Sequence, residues 1–192
     1  MGEYEQDFPL VLRDVMEVLG SEHKGMIIGG VAVIALGHSR ATTDIDATLR
    51  IPVQQLAELV ERFADKGIVP RIPDALEFAQ TRHVLLMRHR GSQIDVDVTV
   101  ALLPFEEEAL AHRQSVDFAG VQIAIPRPED LVIYKMVAAR PQDVQDAEAL
   151  LLRYRDQMDL ARVRRIVGEF AEVLERPELV QELERVIAKA VT

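Results

Sequence analysis

Two stretches of this chain place aspartates at alternate positions of runs that otherwise read as β-strand: Asp44-Ile45-Asp46-Ala47-Thr48-Leu49 and Gln93-Ile94-Asp95-Val96-Asp97-Val98. Alternate residues of a strand share a face. Asp44 and Asp46 therefore point one way while Ile45 points into the core. Asp95 and Asp97 likewise share one face, and Ile94, Val96 and Val98 the other. If the two strands are neighbours, three or four carboxylates gather in a small volume, and each raises the pKa of the next. A hard divalent cation removes that repulsion, because oxygen-only donors suit Mg²⁺ and Mn²⁺. Carboxylates that hold such ions serve in-line attack at phosphorus. Taken singly, each Asp-x-Asp also fits a solvated strand face or a protected sheet edge.

A second feature precedes the first acid pair. Gly25 to Ile28 is a short apolar strand pattern, and Gly30 to Leu36 a helical one, with Gly29-Gly30 at the corner between them. A strand that turns into a helix through two glycines exposes backbone N–H groups with no Cβ in the way, at the positive end of the helix dipole. A triphosphate fits such a corner. An anion cradle followed by a dication site on the next strand describes chemistry on nucleotides.

Periodicity supplies the frame. An amphipathic helix spans about Glu5 to Leu19, a strand Thr43 to Arg50, and a helix Val53 to Lys66 that stops at Gly67. His83 to His89 and Ser92 to Ala101 read as a hairpin turning at Arg90-Gly91; Ser115 to Phe118 and Val121 to Ile125 form another around Ala119-Gly120. Glu106-Glu107-Glu108 behind Pro104 reads as a helix N-terminus. From Pro128 onward the pattern is helical, broken at Pro141 and Pro177. The expected fold class is α+β: a mixed sheet flanked by helices over residues 1–127, followed by a helical region over 128–192 packed on it.

Composition narrows the function. The chain has no cysteine, which excludes disulfides, thiolate nucleophiles and cysteine-bound metals. Its apolar runs are too short to span a bilayer and its acidic start lacks a signal core, so a cytoplasmic protein is expected. A formal charge of -10 argues against general adhesion to nucleic acid. Arg153, Arg155, Arg162, Arg164 and Arg165 fit salt-bridged helix surfaces or one wall of a groove.

Gly29-Gly30, then Asp44-Ile45-Asp46, then a later strand acid resembles the signature of the nucleotidyltransferase superfamily with the DNA polymerase β-like fold, and within it the minimal bacterial, AbiEii-like branch. Arg40-Ala41-Thr42-Thr43 before the acids is similar to that branch's lead-in, and Pro128 to Arg140 with Gln142 to Asp146 looks like its helical motif. The resemblance covers roughly residues 25 to 155. It implies an enzyme that moves a nucleoside monophosphate from an NTP, with Mg²⁺ or Mn²⁺, to a hydroxyl of a tRNA, a protein or a small molecule. The other class it leaves open is a non-catalytic nucleotide- or partner-binding member of a toxin–antitoxin or phage-defence pair, with an antitoxin-type partner. Asp44 and Asp46 would ligate the metals, with Asp97 or Asp95 as the third acid; Asp97 is favoured by the run that follows it. Gly29 and Gly30 would cradle the β- and γ-phosphates, with Arg40 and Thr43 as further phosphate contacts. Lys135 would reach the triphosphate, and Asp146 would contact the base or support Lys135. The bare residues also fit plainer roles: Lys135 a solvated charge, Asp143 and Asp146 first-turn helix acids behind Pro141. His38 and His83 match no metal-binding spacing and fit surface or half-buried positions.

Overall fold

The computed structural model describes residues 3–20 and 25–191. The chain divides into two compact units, Met1–Val31 with Arg40–Ile125 and Ala32–Ser39 with Pro126–Thr192.

The first unit is built on a five-stranded mixed sheet: β1 (Gly25–Ile27), β2 (Asp44–Leu49), β3 (Ile68–Pro70), β4 (Val84–His89) and β5 (Asp95–Val100), in the order β1-β2-β5-β4-β3. β2 and β5 pair in parallel, and the remaining neighbours are antiparallel. A parallel pair needs a crossover. Here α3 (Leu56–Asp65), β3, α4 (Ala75–Arg82) and β4 lie between the two strands in sequence.

Alternation sets which face is dry. Ile45, Ala47 and Leu49 on β2, Leu85 and Met87 on β4, and Val96, Val98 and Val100 on β5 are buried. Each large side chain among them stabilises the fold by about 1.5–3 kcal/mol. A one-residue slip of β5 would carry Asp95 and Asp97 into this apolar layer, so the hydrophobic pattern itself fixes the register of the acids. α1 (Glu3–Gly20) packs on β1 and α3, α3 on β3, and α4 on β4. The buried stripe of α1 is Val11, Leu12, Val15, Val18 and Leu19, the spacing of one helical face. A 3-10 turn at Val53–Gln55 leads into α3, which ends before Gly67, a left-handed residue at φ +74°. α5 (Pro104–Ala111) opens on Pro104, and Glu106 accepts N–H bonds from Leu102 and Leu103 at 2.9 and 3.0 Å, which confirms the helix-start reading of the acidic triplet. The hairpin β6 (Gln114–Phe118) and β7 (Val121–Ile125) sets β7 against α1 and β1.

The second unit is helical: α6 (Pro128–Ala138), α7 (Pro141–Tyr154), α8 (Leu160–Val173) and α9 (Glu178–Val191). Segment 32–39 belongs to it. The Tyr154 hydroxyl donates to the Leu36 carbonyl at 2.9 Å, and a Cβ on Gly37 would lie 2.9 Å from Arg153 Cζ. The helix α2 (Gly29–Ala35) thus starts in one unit and finishes in the other. Among the described residues no helix is long and apolar enough to cross a membrane.

The α+β class and the hairpins follow the sequence reading. β3 and α4 do not. β3 is three residues long, and α4 buries only Ala75 and Ala79 of its eight, so neither carries a periodic apolar signal.

Candidate active site

The parallel pairing of β2 and β5 sets Asp44 opposite Asp95 and Asp46 opposite Asp97. The two acid pairs thus form two rungs on one face of adjacent strands, continued by Thr48 opposite Thr99. The face dries along β2: Asp44 is exposed, Asp46 half-buried and Thr48 fully buried.

The glycine corner leans directly on this face. Gly29 has φ +64°, and a Cβ there would fall 1.9 Å from Asp46 Oδ2. Only glycine permits both that backbone conformation and that approach. A Cβ on Gly30 would fall 2.5 Å from Thr42 Oγ1 and 2.6 Å from Arg40 Nη2. The side chains of the lead-in to β2 therefore fold over the start of α2. Thr42 Oγ1 also donates to Asp44 Oδ1 at 3.0 Å. Thr43, expected as a phosphate contact, is exposed on the same lead-in. With only seven residues in α2, the helix dipole is weak, and the Arg40 guanidinium is the stronger source of positive charge at this corner.

Two arginines that the sequence reading overlooked complete the acid face. Arg71, just past β3, sets Nη1 3.0 Å from Asp95 Oδ2 and 2.8 Å from Asp97 Oδ1, and Nη2 donates to Asp97 Oδ2 at 3.0 Å. Arg88 on β4, cross-strand from Asp95, donates to its two oxygens from Nε at 2.5 Å and Nη2 at 3.2 Å. The Arg88 pair was readable from the hairpin register. Arg71 comes from the short edge strand and left no such mark.

These cations divide the second acid pair. Hydrogen bonds from Arg88, with Arg71 close by, outweigh burial and hold the Asp95 carboxyl below its ordinary value. Burial pushes Asp97 above its ordinary value; Arg71 opposes, and the charges of Asp95 and Asp44 add to the rise. Asp97 Oδ1 is also buried without a hydrogen bond among the described residues, its Arg71 contact being one of charge without good direction.

Does this set suit a divalent ion? Its donors are hard carboxylate oxygens in register, and Asp97 combines an orphaned oxygen with excess negative surroundings. That is the chemistry Mg²⁺ or Mn²⁺ satisfies. Among the described residues, however, no three carboxylates or imidazoles already stand as a metal cluster; the Arg71 guanidinium bridges Asp95 and Asp97 instead.

The remaining expected residues, Lys135 and Asp146, meet each other in the second unit. Lys135 Nζ lies 2.9 Å from Asp146 Oδ2 and 3.0 Å from Asp143 Oδ1, and all three side chains are buried. Arg140 Nε donates to Asp143 Oδ2 at 2.5 Å. Hydrogen bonds from Arg140 and Lys135 outweigh the upward push of burial, so Asp143 is held below its ordinary value. Lys135 is therefore no solvated charge. A second buried set joins Asp130 to Arg127 Nε at 2.8 Å and Arg162 Nη1 at 2.7 Å. Arg164 and Arg165 pair with Glu184 and Glu169; these arginines form ion-paired helix surfaces. His38 and His83 are half-buried.

A five-stranded mixed sheet flanked by helices is a nucleotidyltransferase-like fold, and the comparisons agree on that fold. Residues 10–187 match the family described as nucleotidyltransferase of unknown function (DUF6036), and the chain belongs to that family. No curated protein matches it in sequence. Among solved structures it is similar to the solution structure of the antibiotic-resistance factor ANT(2'')-Ia, at TM-score 0.63 and 15% identity over 90% of this chain and 96% of that one. The crystal structure of ANT(2'')-Ia with adenylyl-2''-tobramycin gives 0.57 and 16%, over 86% and 97%. JHP933 from Helicobacter pylori gives 0.53 and 12%, over 99% and 91%. At such identities the likeness is one of fold.

Proposed function

We propose that the acid face of the first unit catalyses transfer of a nucleoside monophosphate from an NTP to a hydroxyl of a small-molecule acceptor. The observation that carries this reading is the in-register apposition of Asp44–Asp95 and Asp46–Asp97 against the Gly29 corner. The acceptor oxygen bonds to the α-phosphorus, the bond from that phosphorus to the bridging oxygen breaks, and pyrophosphate leaves with the electron pair. Asp44, Asp46 and Asp97 would hold Mg²⁺ or Mn²⁺, which when bound supplies positive charge to acidify the hydroxyl and neutralise the leaving phosphate. Asp97, whose Oδ1 is buried without a directed hydrogen bond, would take the hydroxyl proton there, its other oxygen remaining for the ion. Asp95, already saturated by Arg88, is better suited to orient the strand face than to bind metal.

The backbone at Gly29-Gly30 would receive the β- and γ-phosphates, with Arg40 as counter-charge and Thr42 and Thr43 beside it. Lys135 and Asp146, which match the family motif, are held with Asp143 in a buried ion set of the second unit. The same motif and the Arg40–Asp46 lead-in support kinship with the AbiEii-like branch. A small acceptor rather than RNA is favoured by the charge of -10 and by the adenylylated tobramycin bound to the ANT(2'')-Ia relative.

The test incubates the protein with each α-labelled NTP, Mg²⁺, and separate pools of small hydroxyl compounds, tRNA and protein. Label should move to a small compound with release of pyrophosphate. Asp46→Ala and Asp97→Asn should each slow transfer by about 100- to 1,000-fold, the scale of losing one main electrostatic group. Wild-type rates in both variants would overturn the three-acid assignment, and label on tRNA alone would overturn the acceptor.

A further inference from the structure

Asp95 and Asp97 are not served equally by the cations around them. Arg88 alone engages both Asp95 oxygens, so the Arg71 contact to Asp95 is a surplus. Asp97 meets Arg71 with both of its oxygens, yet Oδ1 is left without a directed hydrogen bond. Arg71 thus occupies the carboxylate that the catalytic reading assigns to a metal, and it occupies it imperfectly.

The backbone beneath Arg71 is anchored in the sheet, while its side chain is partly open to solvent. Pro70 pairs opposite Met87 in the sheet, and the Arg71 N–H donates to the Leu86 carbonyl at 3.1 Å. Beyond that anchor the guanidinium rides on a three-carbon stem, and a fifth of the side chain remains open to solvent. Such a side chain can leave Asp97 without disturbing the strand.

We propose that Arg71 is the resident cation of the acid face: it neutralises Asp97 in the metal-free protein, competes with the divalent ion for it, and swings off when the ion binds. This rests on the metal-holding role assigned to Asp44, Asp46 and Asp97. Two cations contending for one carboxylate couple negatively, so removing the built-in one tightens the other. Arg71 is therefore a positioning residue that sets the metal affinity of the site. It holds the acids together when no ion does, and it keeps low concentrations of metal from filling the site. A freed guanidinium then lies beside the incoming phosphates, where its planar fork suits their oxygens.

Titration of the nucleotide-free protein with Mn²⁺ alone tests this, read by calorimetry and by the paramagnetic resonance of free Mn²⁺. Arg71→Gln should bind Mn²⁺ about tenfold more tightly than wild type, a factor of ten being a modest coupling between neighbouring sites. Arg88→Gln, which touches Asp95 and not Asp97, should shift affinity by less than about threefold. The melting temperature of Arg71→Gln without metal should fall, and its rise on adding Mn²⁺ should exceed that of wild type. If Arg71→Gln does not fold, Arg71→Lys carries the test, since it keeps the charge but loses the two-pronged grip and should still tighten binding. Equal or weaker Mn²⁺ binding in the folded Arg71 variant overturns the proposal. Asp46→Asn separates the two levels. If wild-type Mn²⁺ binding is insensitive to Asp46→Asn, the metal reading itself fails; if Asp46→Asn abolishes binding and the Arg71 variant does not tighten it, only the Arg71 inference fails.

Discussion

Asp97 in the first unit and Asp143 in the second are the same residue type, each partly or fully withdrawn from water and each gripped by an arginine. Their ionisation nevertheless shifts in opposite directions. Asp143 is buried with Lys135 and Arg140 on its two oxygens and is held acidic. Asp97 shares its one guanidinium with Asp95, faces Asp44 and Asp95 as like charges, and is pushed the other way. The contrast teaches how to tell a strut from a site. A buried acid in charge balance holds helices together, while an acid left short of positive charge is where a ligand is wanted.

Asparagine at each position is the sharpest way to break that contrast. Asp143→Asn leaves Lys135 and Arg140 with a neutral partner and should destabilise the protein by about 3–5 kcal/mol, the scale of opening a buried ion pair. Asp97→Asn should leave metal-free stability within about 1 kcal/mol of wild type, because a neutral isostere relieves the burial and like-charge penalties it removes. Denaturant unfolding of the two variants measures both; equal losses would erase the distinction.

Acid titration sharpens it further. Because the folded Asp143 lies below its unfolded value of about 3.9, its contribution is complete above that pH and is lost as pH falls through the folded value. Asp97 has the opposite sign: its contribution is present below the unfolded value and is lost as pH rises through the raised one. Stability measured between pH 2 and pH 6 should therefore lose part of its acid-side slope in Asp143→Asn, and steepen in Asp97→Asn. The smallest effect belongs to the surface. Arg164→Ala removes the exposed pair with Glu184 and should change stability by no more than about 1 kcal/mol, declining with salt.

The alternation at Asp44–Leu49 and Asp95–Val98 was enough to read the acid face, since one buried layer leaves no other orientation for those side chains. That β2 and β5 are neighbours, and parallel, was not in the pattern; strand pairing across a long crossover is decided by the packing of everything between. Helix starts behind Pro104, Pro128 and Pro141 were legible because proline suits the first turn. Lys135 was visible as a member of a motif, but its burial was not, because nothing local tells a solvated lysine from one enclosed by acids of the next helix. Arg71 was invisible for a similar reason: a guanidinium reaches its partners through the fold, and the short edge strand that carries it has no period to announce it.

The parallel pairing of β2 with β5 also has a kinetic consequence. Asp46 and Asp97 are distant along the chain and come together only when the crossover has closed, a long-range pairing whose loop-closure entropy opposes early formation. Contacts absent from the transition state slow unfolding without speeding folding. An ion gripped by those rungs would act as a latch on the finished molecule, lengthening its lifetime while leaving the time taken to reach it unchanged.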